Sequence, residues 1–245
     1  MMGHTHALSG AAAWLLVAPG LVALPGLTAL SGLTGDLTPV VANALSPAEL
    51  VAGTLVCAGA AMLPDLDHPH ATIAQTFGPA TWVLSKAVNW ASGGHRHATH
   101  SLAFAIAAGL GAHLLADHYS IGRDVVVILM IGLALRSIGI GIPGKTITSA
   151  MVNIGLTAIA FILLRSAHVG YLWLGFAISI GCLAHVVGDC LTERGCPVLW
   201  PLRHRWLLPW KIGIKTGRVF EIKILGPVLS VVVIGLFAAR LMPSF

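Results

Sequence analysis

Charged residues are scarce in this sequence. Only 9% of its 245 residues are charged and 56% are hydrophobic, with a mean hydropathy of +0.87. Soluble domains carry roughly 25% charged residues, so this composition excludes an ordinary soluble protein, and its hydrophobicity excludes a disordered chain. Cysteine is also rare, and four residues at irregular spacing exclude a disulfide scaffold. The composition predicts a polytopic membrane protein.

Long apolar runs make up most of the chain. A membrane-crossing helix needs about 20 residues, and we identify seven candidate spans, at 7–30, 50–63, 101–116, 122–142, 146–164, 169–188 and 224–242. Residues 72–94 combine Trp82 and Trp90 with Lys86, which is typical of an amphipathic helix at the membrane surface. We therefore expect an all-α membrane bundle of about seven spans that forms a single domain over residues 1–245.

Basic residues are distributed unevenly between the two faces that these spans define. Ten lie on the face that carries the N-terminus and the loop 190–223, and three lie on the opposite face. The positive-inside rule assigns the basic face to the cytoplasm and places the C-terminus outside. The pI of 9.3 then reflects membrane orientation, and we expect the lipid bilayer rather than nucleic acid as the partner.

Histidine is unusually abundant, with twelve residues against nine acidic ones. Eight of the twelve lie in four short polar segments at the ends of spans, and the count of spans places all four segments on the cytoplasmic face. Ionisable residues beside a membrane span are functional candidates by default. The four segments are residues 1–6, 63–70, 95–101 and 185–193.

The spacing of acidic and histidine residues in these segments indicates a metal site. His185 and Asp189 are four residues apart, so on a helix they project from one face, one turn apart. Asp65 and Asp67 flank a single residue in a turn, which allows one carboxylate to bridge two ions while the other orients a ligand. Imidazole and carboxylate donors favour Zn²⁺, Mn²⁺ or Fe over Mg²⁺.

A second pair, His113 and Asp117, has the same spacing but a different position in the chain. His113 follows His100 by thirteen residues, which is about 20 Å along a helix. We therefore expect this pair at the other rim of the bundle, in a structural or interfacial role.

The loop 194–223 is rich in arginine, lysine and tryptophan. Two compatible roles follow from this pattern: a membrane-surface anchor with tryptophan at headgroup depth, and a rim that attracts phosphate beside the metal site. Glu221 stands among these basic residues as a metal ligand, a general base or an ion-pair partner.

The order of the motifs resembles the YdjM-like family of inner-membrane, metal-dependent hydrolases. The motifs are Gly-His-Thr-His, Leu-Pro-Asp-Leu-Asp-His-Pro, His-Arg followed by Thr-His-Ser, His-x-x-x-Asp-x-x-Thr-x-x-Gly and Val-Leu-Trp-Pro-Leu. That family includes a reported LexA-binding protein and is placed with zinc-dependent phospholipase C and single-strand nuclease enzymes. The resemblance implies a multi-pass protein of a bacterial-type inner membrane.

The resemblance also implies roles for individual residues. The late element Gly-Arg-Val-Phe-Glu at 217–221 is similar to the family's Gly-Ser-x-x-Glu, with Arg218 in the place of serine. The implied metal ligands, together with two histidines from the same segments, are His4, His6, Asp65, Asp67, His68, His100, His185 and Asp189. The predicted catalytic residues are Asp65, Asp67 and Glu221, and the predicted phosphate-binding residues are His95, Arg96, Arg203 and Arg218.

The leading functional hypothesis is a membrane-embedded hydrolase that uses roughly one to three divalent ions, Zn²⁺ first and Mn²⁺ or Fe next, to activate water. Its expected substrate is a phosphoester, a phospholipid above all, because a site at the membrane rim suits an amphiphile. The alternatives are a transporter or metal-binding protein, which would hold its ligands near the bilayer centre, and a scaffold that recruits a soluble partner through the basic loop.

Overall fold

The computed structural model describes residues 1–21, 45–144, 146–202, 205 and 213–241. Within these ranges the protein has eight α-helices and no β-strand, which confirms the all-α prediction. The helices are α1 (Gly3–Leu21), α2 (Pro47–Ala60), α3 (Pro79–Ser92), α4 (Leu102–His118), α5 (Ser120–Ser137), α6 (Ile147–Ser166), α7 (Leu174–Cys190) and α8 (Gly226–Leu241). Short 3₁₀ turns occupy Pro64–Asp67, Thr72–Gln75 and Ala98–His100, and a π-helical turn, Glu221–Leu225, leads into α8.

Several of these helices are long and apolar enough to cross a membrane. By length and composition, the described residues contain three such stretches, Pro47–Asp67, Ile147–Ser166 and Glu221–Leu241. Helices α4 and α7 are equally apolar but have 17 residues each. The predicted run 7–30 continues past α1 into residues outside the described ranges. The membrane character of the fold therefore stands, and the number of seven spans stays a prediction.

Helix α2 lies at the centre of the bundle and packs against α1, α5 and α7. Glycines allow this close approach: a Cβ at Gly10 of α1 would lie 2.6 Å from the carbonyl oxygen of Cys57, and a Cβ at Gly181 of α7 would overlap the same oxygen. Helices in lipid associate through such close packing because the bilayer offers little hydrophobic driving force between them. The glycines therefore determine how near α1 and α7 come to α2.

The contacts along these helices define their directions. Gly10 lies against Cys57 and Gly3 against Met62, so α1 runs antiparallel to α2. Gly181 faces Cys57, and His185 contacts the carbonyl of Ala61, so α2 and α7 run parallel. The hydroxyl of Ser179 in α7 donates to the carbonyl of Ala105, near the start of α4. Helices α1 and α4 therefore begin at the end of the bundle where α2 and α7 end.

Helix α3 lies beside this end of the bundle. Its Trp90 side chain is 86% exposed, and the Lys86 ammonium lies 3.7 Å from the ring centroid of Trp82. The Asn89 amide of this helix donates to the carbonyl of Asp67 at 2.6 Å. Helix α3 therefore covers only part of the predicted segment 72–94. Its Asn89 supports the turn that carries Asp65 and Asp67.

Candidate metal centre

Side chains from all four polar segments meet at one end of the bundle. His6 comes from the first turns of α1, Asp65 and Asp67 from the 3₁₀ turn after α2, His100 from the 3₁₀ turn before α4, and His185 with Asp189 from the last turns of α7. Ser101 then caps α4 by accepting from the amide of Phe104, so the helix begins directly after His100. These residues form three overlapping groups that could hold a metal ion: His6–His185–Asp189, Asp65–His100–His185 and Asp67–His95–His100.

The first group combines helices α1 and α7. The imidazole rings of His6 and His185 stack with centroids 3.8 Å apart, and His6 Nε2 lies 3.3 Å from Asp189 Oδ1. His185 and Asp189 are completely buried, and His185 Nε2 lies 3.8 Å from Asp189 Oδ2. Gly188 permits this arrangement, because a Cβ there would already lie 3.3 Å from the His6 ring.

The second group joins the end of α7 to the two turns. His100 Nε2 lies 3.5 Å from Asp65 Oδ1, and His185 Nε2 lies 3.8 Å from the same oxygen. His185 Nδ1 lies 2.7 Å from the carbonyl oxygen of Ala61. A carbonyl can only accept, so Nδ1 carries the proton and Nε2 presents its lone pair to the group. Backbone orientation of a ligating histidine in this way is typical of metal sites.

The third group has a different character, because its carboxylate is already well hydrogen-bonded. Asp67 Oδ1 lies 2.7 Å from His95 Nδ1, and Oδ2 accepts from the Thr99 hydroxyl at 2.6 Å and from the backbone N–H of Arg96 at 3.1 Å. The same Oδ2 lies 3.5 Å from His100 Nδ1. The Thr99 hydroxyl lies 3.1 Å from His100 Nδ1, so Asp67 and Thr99 together fix the orientation of the His100 ring, whose other nitrogen faces Asp65.

Arg96 connects the third group to the first. Its guanidinium lies 2.9 Å from Asp189 Oδ2 and donates to the carbonyl of Gly195 at 3.1 Å. Its backbone has a φ of 59°, a left-handed conformation that a non-glycine residue rarely adopts. In this conformation the backbone N–H of Arg96 donates to Asp67, while its guanidinium forms an ion pair with Asp189.

Unpartnered polar atoms are concentrated in this cluster. In the described part of the chain, the buried atoms without a hydrogen-bond partner include both ring nitrogens of His6, Nε2 of His100 and Nε2 of His185. An unsatisfied buried polar group costs roughly 1–3 kcal/mol, and a charged one costs more. Three of these four nitrogens, one from each histidine, are ligand atoms of the groups that could bind a metal, so a divalent cation fits this site chemically.

The electrostatics of the cluster are clearest at His100. Burial by itself lowers the pKa of this imidazole, but its hydrogen bonds to Asp65 and Asp67 and their negative charges outweigh burial and raise the pKa to about 9. The carboxylates therefore strongly favour a positive charge at this position. A divalent cation supplies such a charge.

Three of the predicted site residues have other surroundings. His4 packs against Gly226 of α8, where a Cβ added to the glycine would lie 3.2 Å from His4 Nε2. His4 belongs to none of the three groups. His68 stacks on His95 with centroids 4.7 Å apart and also lies outside the groups. Glu221 is buried and accepts backbone N–H bonds from Met2 at 2.6 Å and Gly217 at 2.8 Å, so it fastens the start of the chain to the segment before α8.

The predicted phosphate-binding residues separate into different places. His95 belongs to the third group, and Arg96 reaches Asp189. Arg218 lines a cleft on the surface next to the metal centre. Arg203 lies outside the described residues.

The second pair with helical spacing lies away from the cluster, as the sequence predicts. His113 Nε2 and Asp117 Oδ2 are 3.8 Å apart. His113 packs against Gly175 in the first turn of α7, whereas the cluster lies at the last turns of that helix. The pair belongs to none of the three groups.

Sequence reasoning missed three contributors to the centre. These are the Ala61 carbonyl, which binds His185; the Thr99 hydroxyl, which binds Asp67; and Asn89, which holds the backbone of Asp67. Thr99 lies inside the Thr-His-Ser motif, so its place next to His100 in the sequence could have indicated a role in the site. The other two depend on contacts between distant parts of the chain, for which the sequence carries no spacing pattern.

Comparison with protein-family models identifies the family of the chain. The family model described as YdjM inner membrane protein matches residues 1–139 and 146–242. No curated protein and no solved structure matches the chain. The matched ranges include every residue of the three candidate metal-binding groups.

Proposed function

The chain belongs to the YdjM inner membrane protein family, and we propose that it is a membrane-embedded, metal-dependent hydrolase that acts on a phosphoester. One observation carries this proposal: histidine and aspartate side chains from four distant segments converge, and ring nitrogens of His6, His100 and His185 are buried there without a hydrogen-bond partner. Such convergence is costly without a cation, because buried polar groups need partners.

The donor types favour Zn²⁺, with Mn²⁺ or Fe as the next choices, because imidazole suits these metals and Mg²⁺ prefers oxygen. Two of the three groups share His185 Nε2, and one nitrogen lone pair binds one ion. The third group is largely satisfied by its own hydrogen bonds. We therefore assign one principal ion to Asp65, His100, His185 and Asp189, with His6 on the second oxygen of Asp189.

The protein's own groups would prepare the site for hydrolysis. When bound, a divalent ion polarises a phosphoryl oxygen and makes water acidic enough to react near neutral pH. The Ala61 carbonyl accepts a hydrogen bond from His185 Nδ1, so the other ring nitrogen, Nε2, is unprotonated. Asp67 helps to hold the ring of His100. The Arg96 guanidinium beside Asp189 supplies positive charge for a phosphoryl group. These contacts give each side chain a distinct task.

The position of the donors supports hydrolysis over transport. A transporter holds its ligands near the bilayer centre on broken helices. Here the donors lie at the beginnings of α1 and α4 and at the ends of α2 and α7. A site at helix ends admits a head group from the membrane surface.

Metal analysis of the purified protein tests the proposal. We expect His185→Ala and Asp189→Ala each to lose bound metal, while His113→Ala keeps it. His113 is a matched control because it has the same i,i+4 aspartate at 3.8 Å. A panel of phosphoester lipids and nucleotides, tested with metal-stripped and reloaded protein, then identifies the reaction. Equal metal loss in all three variants, or unchanged hydrolysis after stripping, would overturn the proposal.

A further inference from the structure

A surface cleft adjoins the metal centre on the segment before α8. It has a volume of about 480 Å³ and is lined by Arg96, Thr192, Arg194, Lys215, Thr216 and Arg218. A second cavity of about 690 Å³ adjoins it and shares the lining residues Ile214, Lys215 and Arg218. Together the two form one groove, which we call the basic groove.

The basic groove has an excess of positive charge. Four basic side chains line the cleft, and the acidic residue among them is Glu193. Glu193 Oε1 lies 3.8 Å from Lys215 Nζ, and both side chains are partly exposed. Among the described residues, Arg194 and Arg218 have no carboxylate within ion-pair distance. The two arginines and the Thr216 hydroxyl in this cleft match the acceptor oxygens of a phosphate group.

The far part of the groove is apolar. Val219 is 66% exposed and Phe220 is 51% exposed, and both line the second cavity. They directly precede the stretch Glu221–Leu241, which is apolar enough to span a membrane and is buried over only 6% of its most hydrophobic window. The apolar part of the groove therefore opens towards lipid. A site that binds only free phosphate would not need an apolar part.

The polar part of the groove reaches the metal centre directly. Arg96 lines the cleft and lies 2.9 Å from Asp189 Oδ2. Thr192 also lines the cleft, and its hydroxyl donates to the Asp189 carbonyl at 2.7 Å. An occupant of the groove therefore has its charged group next to the candidate metal ligands.

We propose that the basic groove binds an anionic phospholipid, with the phosphodiester at Arg194 and Arg218 and an acyl chain along Val219 and Phe220. The proposal deepens the proposed function and rests on it in one respect, namely that the bound lipid is the substrate. Binding itself does not require the metal. The groove thus separates recognition of the lipid from the chemistry beside it.

Lipid binding to metal-free protein tests this inference. Full-length protein in detergent with EDTA is titrated with dihexanoyl phosphatidylglycerol and, in parallel, with inorganic phosphate, and binding is followed by native mass spectrometry. We expect the lipid to bind and inorganic phosphate to bind much more weakly. Equal binding of the two would show a phosphate site without lipid selectivity and would overturn the inference.

Variants locate the binding. Arg194→Gln with Arg218→Gln should weaken lipid affinity by at least about tenfold, since charge-assisted hydrogen bonds are lost. The conservative pair Arg194→Lys with Arg218→Lys should retain most of the affinity and shows that the fold tolerates change there. Arg165→Gln is the control, an arginine that is 71% exposed at the end of α6. Unchanged affinity in the glutamine pair, or equal loss in the control, would overturn the inference.

A third variant addresses the apolar part. Phe220→Ala should weaken lipid binding several-fold and leave the response to inorganic phosphate unchanged. Metal content is measured on every variant. Lipid binding without any metal in untreated protein would contradict the proposed function alone, whereas normal metal content and hydrolysis without lipid binding would contradict this inference alone.

Discussion

At the scale of single residues, two aspartates two positions apart have different partners. Asp67 is fully buried and accepts from Thr99, the Arg96 amide and His95. Asp65 faces the imidazoles of His100 and His185 instead. The physical difference is that Asp67 is saturated with hydrogen bonds and Asp65 is not. Asp65 is therefore suited to hold a cation, and Asp67 to orient the residue that does.

This difference predicts unequal effects of replacing the two carboxylates. Asp65→Asn removes a charged donor and should abolish tight metal binding, whereas Asp67→Asn should weaken it by about 10–100-fold, as is usual for a residue that orients a ligand. Competition with a chelating dye measures both affinities, and Asp117→Asn serves as the control. Equal losses for Asp65 and Asp67 would contradict the assignment.

The double variant Asp65→Asn, Asp67→Asn tests catalysis. Asparagine preserves shape but removes the charge that balances a cation, so the rate should fall by orders of magnitude. The variant must first be shown to be folded and monodisperse. Unchanged turnover on the identified substrate would refute the metal-hydrolase proposal and favour a binding or scaffold role.

The raised pKa of His100 predicts a pH dependence of metal binding. Below about pH 9 this imidazole carries a proton in the metal-free protein, and a metal ligand must be deprotonated. Metal affinity should therefore increase with pH up to about 9 and then level off. The protonated form also stabilises the metal-free fold below the unfolded pKa of about 6.5, and this stabilisation is lost as the pH rises through 9.

Calorimetry in buffers of different ionisation enthalpy checks this prediction. We expect about one proton to be released for each ion bound at pH 7. Asp117→Asn should release the same number, since it lies away from the cluster. Metal binding without proton release would contradict the assignment of His100 as a ligand.

At the scale of secondary structure, glycines control how closely the helices approach. Gly59 of α2 lies against the backbone of Met130 in α5, and Gly181 of α7 lies against that of Cys57 in α2. The latter contact is one turn before His185, whose Nδ1 binds the carbonyl of Ala61 one turn after Cys57. The register of α7 on α2 therefore also fixes the tautomer of His185.

Enlarging Gly181 should disturb both packing and the metal centre. Gly181→Leu forces α7 away from α2, and overpacking of this kind costs about 1–3 kcal/mol or more. We expect a lower Tm in detergent and reduced metal content. Gly155→Leu is the matched control, because a Cβ at that exposed position of α6 meets nothing within 4 Å. Similar effects of the two substitutions would contradict a specific role for the contact.

At the scale of the whole molecule, the metal centre and the basic groove lie at one end of the bundle. Helices α1 and α4 begin there, α2 and α7 end there, and the segment before α8 adds Arg218 and Lys215. Positive charge on this end agrees with a cytoplasmic location by the positive-inside rule. The side of the membrane is a prediction from charge alone.

Labelling of single cysteines in intact cells tests this topology. A membrane-impermeant maleimide should reach Leu241→Cys from outside and Thr216→Cys only after permeabilisation, because the span Glu221–Leu241 separates them. Both positions are exposed. Protein with its four native cysteines alone gives the background. Equal labelling of the two positions in intact cells would contradict the prediction.

The sequence by itself determined the helical membrane class and the residue types of the site. Composition and long apolar runs follow from the bilayer as solvent, and the i,i+4 spacing of His185 and Asp189 follows from helix geometry. Both are local properties that a sequence records directly. His113 and Asp117 have identical spacing, however, so spacing alone cannot show that a pair belongs to a larger site.

Only the tertiary structure decided which of these residues meet and what each one contacts. His95 contacts Asp67, and Glu221 accepts hydrogen bonds from backbone amides and belongs to none of the metal-binding groups found among the described residues. These outcomes depend on the directions and separations of helices far apart in the chain. The reason is physical: a periodic pattern specifies one face of one helix, whereas a cluster needs several helices to pack at defined distances, which here depend on backbone contacts at glycines such as Gly181.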